Sequence, residues 1–254
     1  MTFFRLLKFE VRKLFKQKSA RAAFIIVIVI SAVFFLVNFV NRPEGTYTGL
    51  DLIVETVNIQ NSVLFVLPLV GILLAVQSLS EELSTGTIKT LLTRPVKREN
   101  ILFCKFLALY AYIISISYTV LIITLLLGLR WGYPEMEASL LPPLLLMVFW
   151  HSLGIMVLVA FTFLVASLGT APVTAAIISL GIHRLFIILE YFPQIQKFTF
   201  SHRVTTLIQN SIQTLLGQSL DLRQLWESLT IILIYMLVIL LIASFLIERR
   251  DISR

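Results

Sequence analysis

Residues 22–40 read AAFIIVIVISAVFFLVNFV, nineteen consecutive positions of which only Ser31 and Asn38 are polar. As a helix rising about 1.5 Å per residue the segment is roughly 28 Å long, close to the thickness of a bilayer's hydrocarbon core. The run exceeds the roughly 7 to 15 apolar residues of a signal-peptide core. No small-residue cleavage site follows between Asn41 and Gly45, so the stretch reads as a permanent membrane span. Further apolar segments near 59–79, 101–127, 140–168, 172–191 and 229–247 bring the number of expected spans to six.

The whole chain agrees with its first span. Of 254 residues, 58% are hydrophobic and 14% charged, against roughly 45–50% and about 25% in soluble domains. A water-soluble chain needs charged side chains to coat the surface it cannot bury, and here they are too few. With a mean hydropathy of +0.93, the expected class is an all-α integral membrane protein, a single transmembrane domain over 1–254. The net charge of +7 would point to nucleic acid if the cations covered one soluble surface. Instead they flank the apolar runs, and no nucleic-acid partner is expected. The single cysteine, Cys104, excludes an intrachain disulfide framework and a Cys-rich zinc site.

Charge also orients the spans, since Lys and Arg concentrate in cytoplasmic flanks. Seven precede the first span (Arg5, Lys8, Arg12, Lys13, Lys16, Lys18, Arg21), four lie between the second and third (Lys89, Arg94, Lys97, Arg98), and three follow the sixth (Arg249, Arg250, Arg254). The opposite loops hold five: Arg42, Arg130, Lys197, Arg203 and Arg223. Both termini are therefore expected in the cytoplasm, with the protein multi-pass in the plasma membrane. Trp131, Tyr133, Tyr191 and Trp226 fall at the expected outer boundary, where an aromatic belt sits. Before the first span, Phe3, Phe4, Leu7, Val11, Leu14 and Phe15 share one arc of a helix while Lys8, Arg12, Arg5 and Lys16 share the next. Leu6 and Phe9 break the pattern. The expectation is a basic amphipathic helix on the inner interface, with Phe4, Leu7, Val11 and Leu14 toward lipid.

Polar machinery at membrane depth would mark an intramembrane enzyme or an ion-driven carrier. All fourteen acidic residues fall outside the expected spans or at their ends, Glu190 being the deepest. No buried carboxylate is expected, and with it no ion-coupling site. The chain has no HExxH pair and no GxxxxGK[ST] loop, so neither a catalytic residue, a metal site nor a bound cofactor is expected, and it does not hydrolyse ATP by itself. His151, between Trp150 and Ser152, reads as a hydrogen-bonded packing residue. His183 and Arg184 differ. Arg184 lies twelve residues into the fifth span, roughly 18 Å deep, where a guanidinium costs about 2.5–3.5 kcal/mol on insertion scales. It must meet water, protein or charge, either as an anchor snorkelling outward or as a cation on the transport path. Glu190, six residues on, lies on a different helix face.

The segment 81–105, EELSTGTIKTLLTRPVKRENILFCK, is too patterned for a passive connector. Gly86 and Pro95 bracket about two helical turns in which Ile88, Leu91 and Leu92 form an apolar face, a docking surface for another protein. The order Glu82, Gly86-Thr87, Leu91-Leu92, Pro95, Arg98 and Lys105 resembles the first cytoplasmic loop of ABC transporter permeases of the type-2 exporter group, small bacterial six-span subunits that include bacitracin-export and copper-site-maturation permeases. The resemblance extends to the basic interfacial helix, the six spans and the long segment before the last span. It implies that the loop carries a coupling helix seated on a separate ATPase, with Glu82, Gly86, Thr87, Leu91, Leu92, Pro95 and Arg98 as coupling positions. It also implies ATP and magnesium held by that partner, and a second permease copy, identical or not, beside the first. Between the fifth and sixth spans, 192–227 is too long for coil, and Leu207, Ile208, Ile212, Leu215 and Leu216 recur at helical spacing, so short outer helices are expected. The uncharged turn 169–172 offers a second, weaker contact for the ATPase.

The function expected is ATP-driven efflux of a hydrophobic or amphipathic molecule, a peptide antibiotic or lipid-like compound. The alternative is a membrane anchor or sensor whose loop recruits a cytoplasmic regulator.

Overall fold

A computed structural model describes residues 3–40, 66–84, 98–130, 140–215, 217–219 and 221–249, and among them every regular element is a helix. In chain order these are α1 (Phe3–Lys16), α2 (Lys18–Val40), α3 (Val66–Ser84), α4 (Arg98–Arg130), α5 (Leu141–Ser167), α6 (Pro172–Leu189), α7 (Pro193–Gln196), α8 (Phe200–Leu215) and α9 (Leu222–Arg249). Six of them, α2 to α6 and α9, are long and apolar enough to cross a membrane. The protein is thus an all-α, six-span membrane protein.

Helix α5 is the axis of the bundle. Pro142 and Pro143 stand in its first turn, where a missing N–H costs nothing. From Met147 to Ser167 almost every residue is buried, with α3, α4, α6, α8 and α9 packed around it. It ends on Gly169, whose φ of 85° is the left-handed conformation that only glycine adopts without strain, and Pro172 then opens α6. By contrast, α2 and α6 turn most of their apolar residues outward, as helices facing lipid or a second chain do.

Close approach within the bundle depends on two glycines. A Cβ on Gly71 would stand 2.9 Å from Ile155 Cγ2, and one on Gly154 would stand 2.9 and 3.0 Å from the two γ-carbons of Val204. These are the small residues that let membrane helices pack without a hydrophobic driving force. Gly154→Ala is expected to destabilise the protein by about 1–3 kcal/mol through overpacking, read as a lowered Tm in detergent. Val204→Ala in the same chain should restore most of the loss, and a Tm unchanged by Gly154→Ala would show that α5 and α8 do not approach so closely.

The short helices expected between the fifth and sixth spans are α7 and α8. Leu207, Ile208 and Leu215 are buried and Ile212 is half-buried, while Leu216 lies outside the described residues, so four of the residues read from the sequence form the face α8 lays on α5 and α9. Its connection to α9 is fixed by Asn210, whose amide donates to the Asp221 carbonyl at 3.0 Å and whose Oδ1 accepts from the Asp221 N–H at 3.3 Å. Asp221 Oδ1 in turn accepts from the N–H groups of Arg223 and Gln224, capping α9.

Candidate functional site

At one end of the bundle, four charged side chains from three helices form a network, three of them buried and the fourth, Lys13, 37% exposed. Lys105, on α4, places its Nζ 3.1 Å from Glu10 Oε2 on α1 and 2.8 Å from Glu82 Oε2 on α3. Lys13 of α1 donates to Glu82 Oε1. The Lys105 side chain is 0% exposed and those of Glu10 and Glu82 are 5% and 11% exposed. Charges so far from water persist only when paired, because desolvating each one costs several kcal/mol. Two carboxylates against two ammonium groups leave the network formally neutral.

Helix α1 is held along α4 by the ridge Leu6, Glu10 and Leu14, one residue per turn, with Leu6 packed on Ile101 and Cys104. The apolar face read from the sequence is divided, with Leu6 and Leu14 turned into protein. Leu6, which interrupted the expected lipid-facing arc, is 1% exposed, whereas Phe4 of that arc is 79% exposed. Leu7 and Val11 are half-buried, and Leu14 is buried in protein. The helix has two apolar neighbours, the bundle on one side and whatever solvates Phe4, Phe9 and Phe15 on the other, and a single periodicity reports only their sum. The elbow into α2 is fixed by Tyr112, whose hydroxyl donates to the Ala20 carbonyl and whose ring meets Phe15 at 5.2 Å. Among the described residues the buried carboxylates are Glu10 and Glu82, one outside the spans and one at a span's end as the sequence has them, and both are paired with lysines.

The network brackets the segment 85–97. Glu82 lies on the last turn of α3, and Lys105 on the second turn of α4, just beyond Arg98, the first residue of that helix. Gly86, Thr87, Leu91, Leu92 and Pro95 lie outside the described residues, as do the two helical turns expected at 87–93. Just before Glu82, α3 passes through a π-helical turn, Val76–Ser80, a widening often found at functional positions. Ser19 of α2 donates to Gln77 Oε1 at 2.7 Å, and Ser80 donates to the Thr170 carbonyl at 3.2 Å. The α5–α6 turn thus lies at this same end of the bundle.

The second feature is an open cavity of about 490 Å³ lined by α3, α5, α6 and α8. Its polar wall includes His151, His183, Arg184, Glu190, Ser201 and Thr205, and its apolar wall Pro68, Ile155, Leu158, Ile187, Phe200 and Ile208. His151 is sixteen residues before Ser167 and Arg184 twelve after Pro172, roughly 24 and 18 Å from the α5–α6 turn. The cavity therefore occupies the half of the bundle away from the ionic network. Phe161, Phe186, Phe200 and Tyr235 stack beside it, with Phe186 and Phe200 centroids 4.6 Å apart. The structure brings His183 and Arg184 to one void and adds His151, which the sequence read as a satisfied packing residue. Its side chain is buried but Nε2 has no hydrogen-bond partner among the described residues. Glu190, expected on another helix face from Arg184, borders the same cavity because the cavity is wide enough to touch both faces. No group of three or more metal-ligating residues occurs among the described residues.

A family model described as "ABC-2 family transporter protein" matches residues 6–190, well over half of the chain, from α1 to the end of α6. The match spans the ionic network together with His151, His183, Arg184 and Glu190. No curated protein matches the chain.

Proposed function

The chain belongs to the ABC-2 transporter family, a family of membrane permease components that normally work with an ABC ATPase, and from that premise we propose that it exports a hydrophobic or amphipathic molecule using a separate ATPase subunit. The permease supplies the path, and ATP and magnesium reside on the partner. In this proposal the segment 85–97 faces the cytoplasm of a plasma-membrane protein whose termini are on the same side. Leu91 and Leu92 enter a groove of the ATPase, with Glu82, Gly86, Thr87, Pro95 and Arg98 framing the contact. A second permease copy completes the path against the outward faces of α2 and α6, and lipid covers what remains.

The observation that carries the proposal is the Lys13–Glu82–Lys105–Glu10 network. It ties the helix entering the loop, the helix leaving it and the interfacial helix α1 into one body. A displacement of the loop is thereby passed to α1, α3 and α4 together instead of being absorbed in a flexible connection. Nucleotide binding shifts inward and outward populations only if the ATPase contacts the two states differently, and a rigid three-helix junction gives it one element to grip. The cavity at the far end supplies the substrate's station, where His183 and Arg184 lie on the path.

Inside-out vesicles containing the chain and its ATPase should accumulate a fluorescent amphiphile on addition of ATP. Vesicles with either subunit alone should not. Accumulation by the permease alone, or none with both subunits and a panel of amphiphiles, would contradict ATP-driven export.

A further inference from the structure

Two buried polar atoms on the wall of the cavity have no hydrogen-bond partner among the described residues: Nε2 of His151, a residue 5% exposed on α5, and Oγ of Ser201 on α8. Each such group costs free energy that a partner would recover. The two stand apart. Phe200, which opens α8, meets Phe161 of α5 with ring centroids 6.4 Å apart, and Val204 packs on Gly154, so α8 runs antiparallel to α5. His151 and Ser201 therefore lie three residues to opposite sides of the Gly154–Val204 contact, about 9 Å apart along the two helices. Ile155 and Leu158 line the cavity along that stretch of α5.

An occupant that partners both atoms must be polar at two points and apolar between them, and a void of about 490 Å³ is within the size range of small-molecule sites. Nε2 donates or accepts according to the tautomer of the ring, and a serine hydroxyl does both. Hydroxyl or amide groups, which also do both, suit the two stations. The wall's two formal charges, on Arg184 and Glu190, are of opposite sign, and Arg184 already has an interaction within the chain. A charged head would therefore be desolvated against a wall with no net formal charge to offset the cost. We propose that the cavity binds an uncharged, largely apolar molecule with hydrogen-bonding groups at two separated points. One is held by His151 and the other by Ser201, and the apolar body lies along Ile155 and Leu158. The inference deepens the export reading by naming the substrate class, and so rests on it.

The test is equilibrium binding to the full-length chain in nanodiscs of phosphatidylcholine, with no ATPase and no nucleotide present, corrected for uptake by empty nanodiscs. The probes are 1,8-octanediol, its isomer 1,2-octanediol, octanoate and octylammonium, all at neutral pH. The 1,8-isomer can reach both stations, whereas the adjacent hydroxyls of the 1,2-isomer reach only one. The 1,8-isomer should therefore bind about five- to tenfold more tightly, the effect of one further hydrogen bond. Both ions should bind more weakly than the 1,8-isomer. His151→Phe should remove the preference between the isomers. Ser201→Ala, a smaller change suited to a chain that must still insert, should remove it too. Undetectable binding of the 1,8-isomer, equal binding of the two isomers, or either ion binding more tightly than the 1,8-isomer would each overturn the proposal. So would a preference that survives Ser201→Ala or a folded His151→Phe chain, since water would then be partner enough for these groups. Because the measurement needs no transport, its failure leaves the ATPase reading untouched, and failure of vesicle transport leaves this site intact.

Discussion

Replacing Lys105 by Met will cost about 3–5 kcal/mol of stability, the loss expected when one partner of a buried ionic group is removed and its counter-charges stay behind. The side chain is 0% exposed, and its Nζ is shared by Glu10 Oε2 at 3.1 Å and Glu82 Oε2 at 2.8 Å. Methionine fills much of the same volume, so the loss reports charge and not a cavity. The effect should appear as a large fall in Tm for the purified protein and persist at high salt, since buried pairs are poorly screened. Adding Glu10→Gln and Glu82→Gln to Lys105→Met should recover much of the loss. Lys13→Met removes a charge that is 37% exposed and should cost far less. A Tm for Lys105→Met within a degree or so of wild type would mean that the network does not bind α1, α3 and α4 together.

The second large effect concerns the loop itself. Leu91→Asp or Leu92→Asp places a carboxylate in the apolar face proposed to enter the ATPase, where desolvating an unpaired charge is costly. Truncating or disrupting a contact at the centre of an interface typically costs 2 kcal/mol or more, so association should weaken by at least about 30-fold. Membrane insertion should be unchanged, because both positions lie between spans. ATPase association at the wild-type level in both variants would remove these two leucines from the docking surface.

The six-span, all-helical architecture was legible because membrane spans are written locally, in runs of apolar residues whose length the bilayer dictates. The face of α8 was legible for the same reason, as Leu207, Ile208, Ile212 and Leu215 repeat within one helix. The ionic network was not, since Glu10, Glu82 and Lys105 are far apart in the chain and meet only after three helices pack. One signal was present. Lys105 stands inside an expected span, and a cation there demands a partner. The depth of Arg184 singled out a residue that lines the cavity, while His151 on the neighbouring helix read as ordinary core. Its unsatisfied Nε2 depends on which side chains of α6 and α8 arrive opposite it, which no single segment encodes.

If segment 85–97 is the handle by which a separate ATPase moves this bundle, a photo-crosslinking amino acid at Leu91, activated in intact native membranes, should form an adduct with a soluble protein that carries a phosphate-binding glycine-rich loop, and the adduct should disappear when that protein is depleted. Adducts confined to the chain's own helices, or labelling of the same position by an impermeant reagent applied outside the cell, would contradict it.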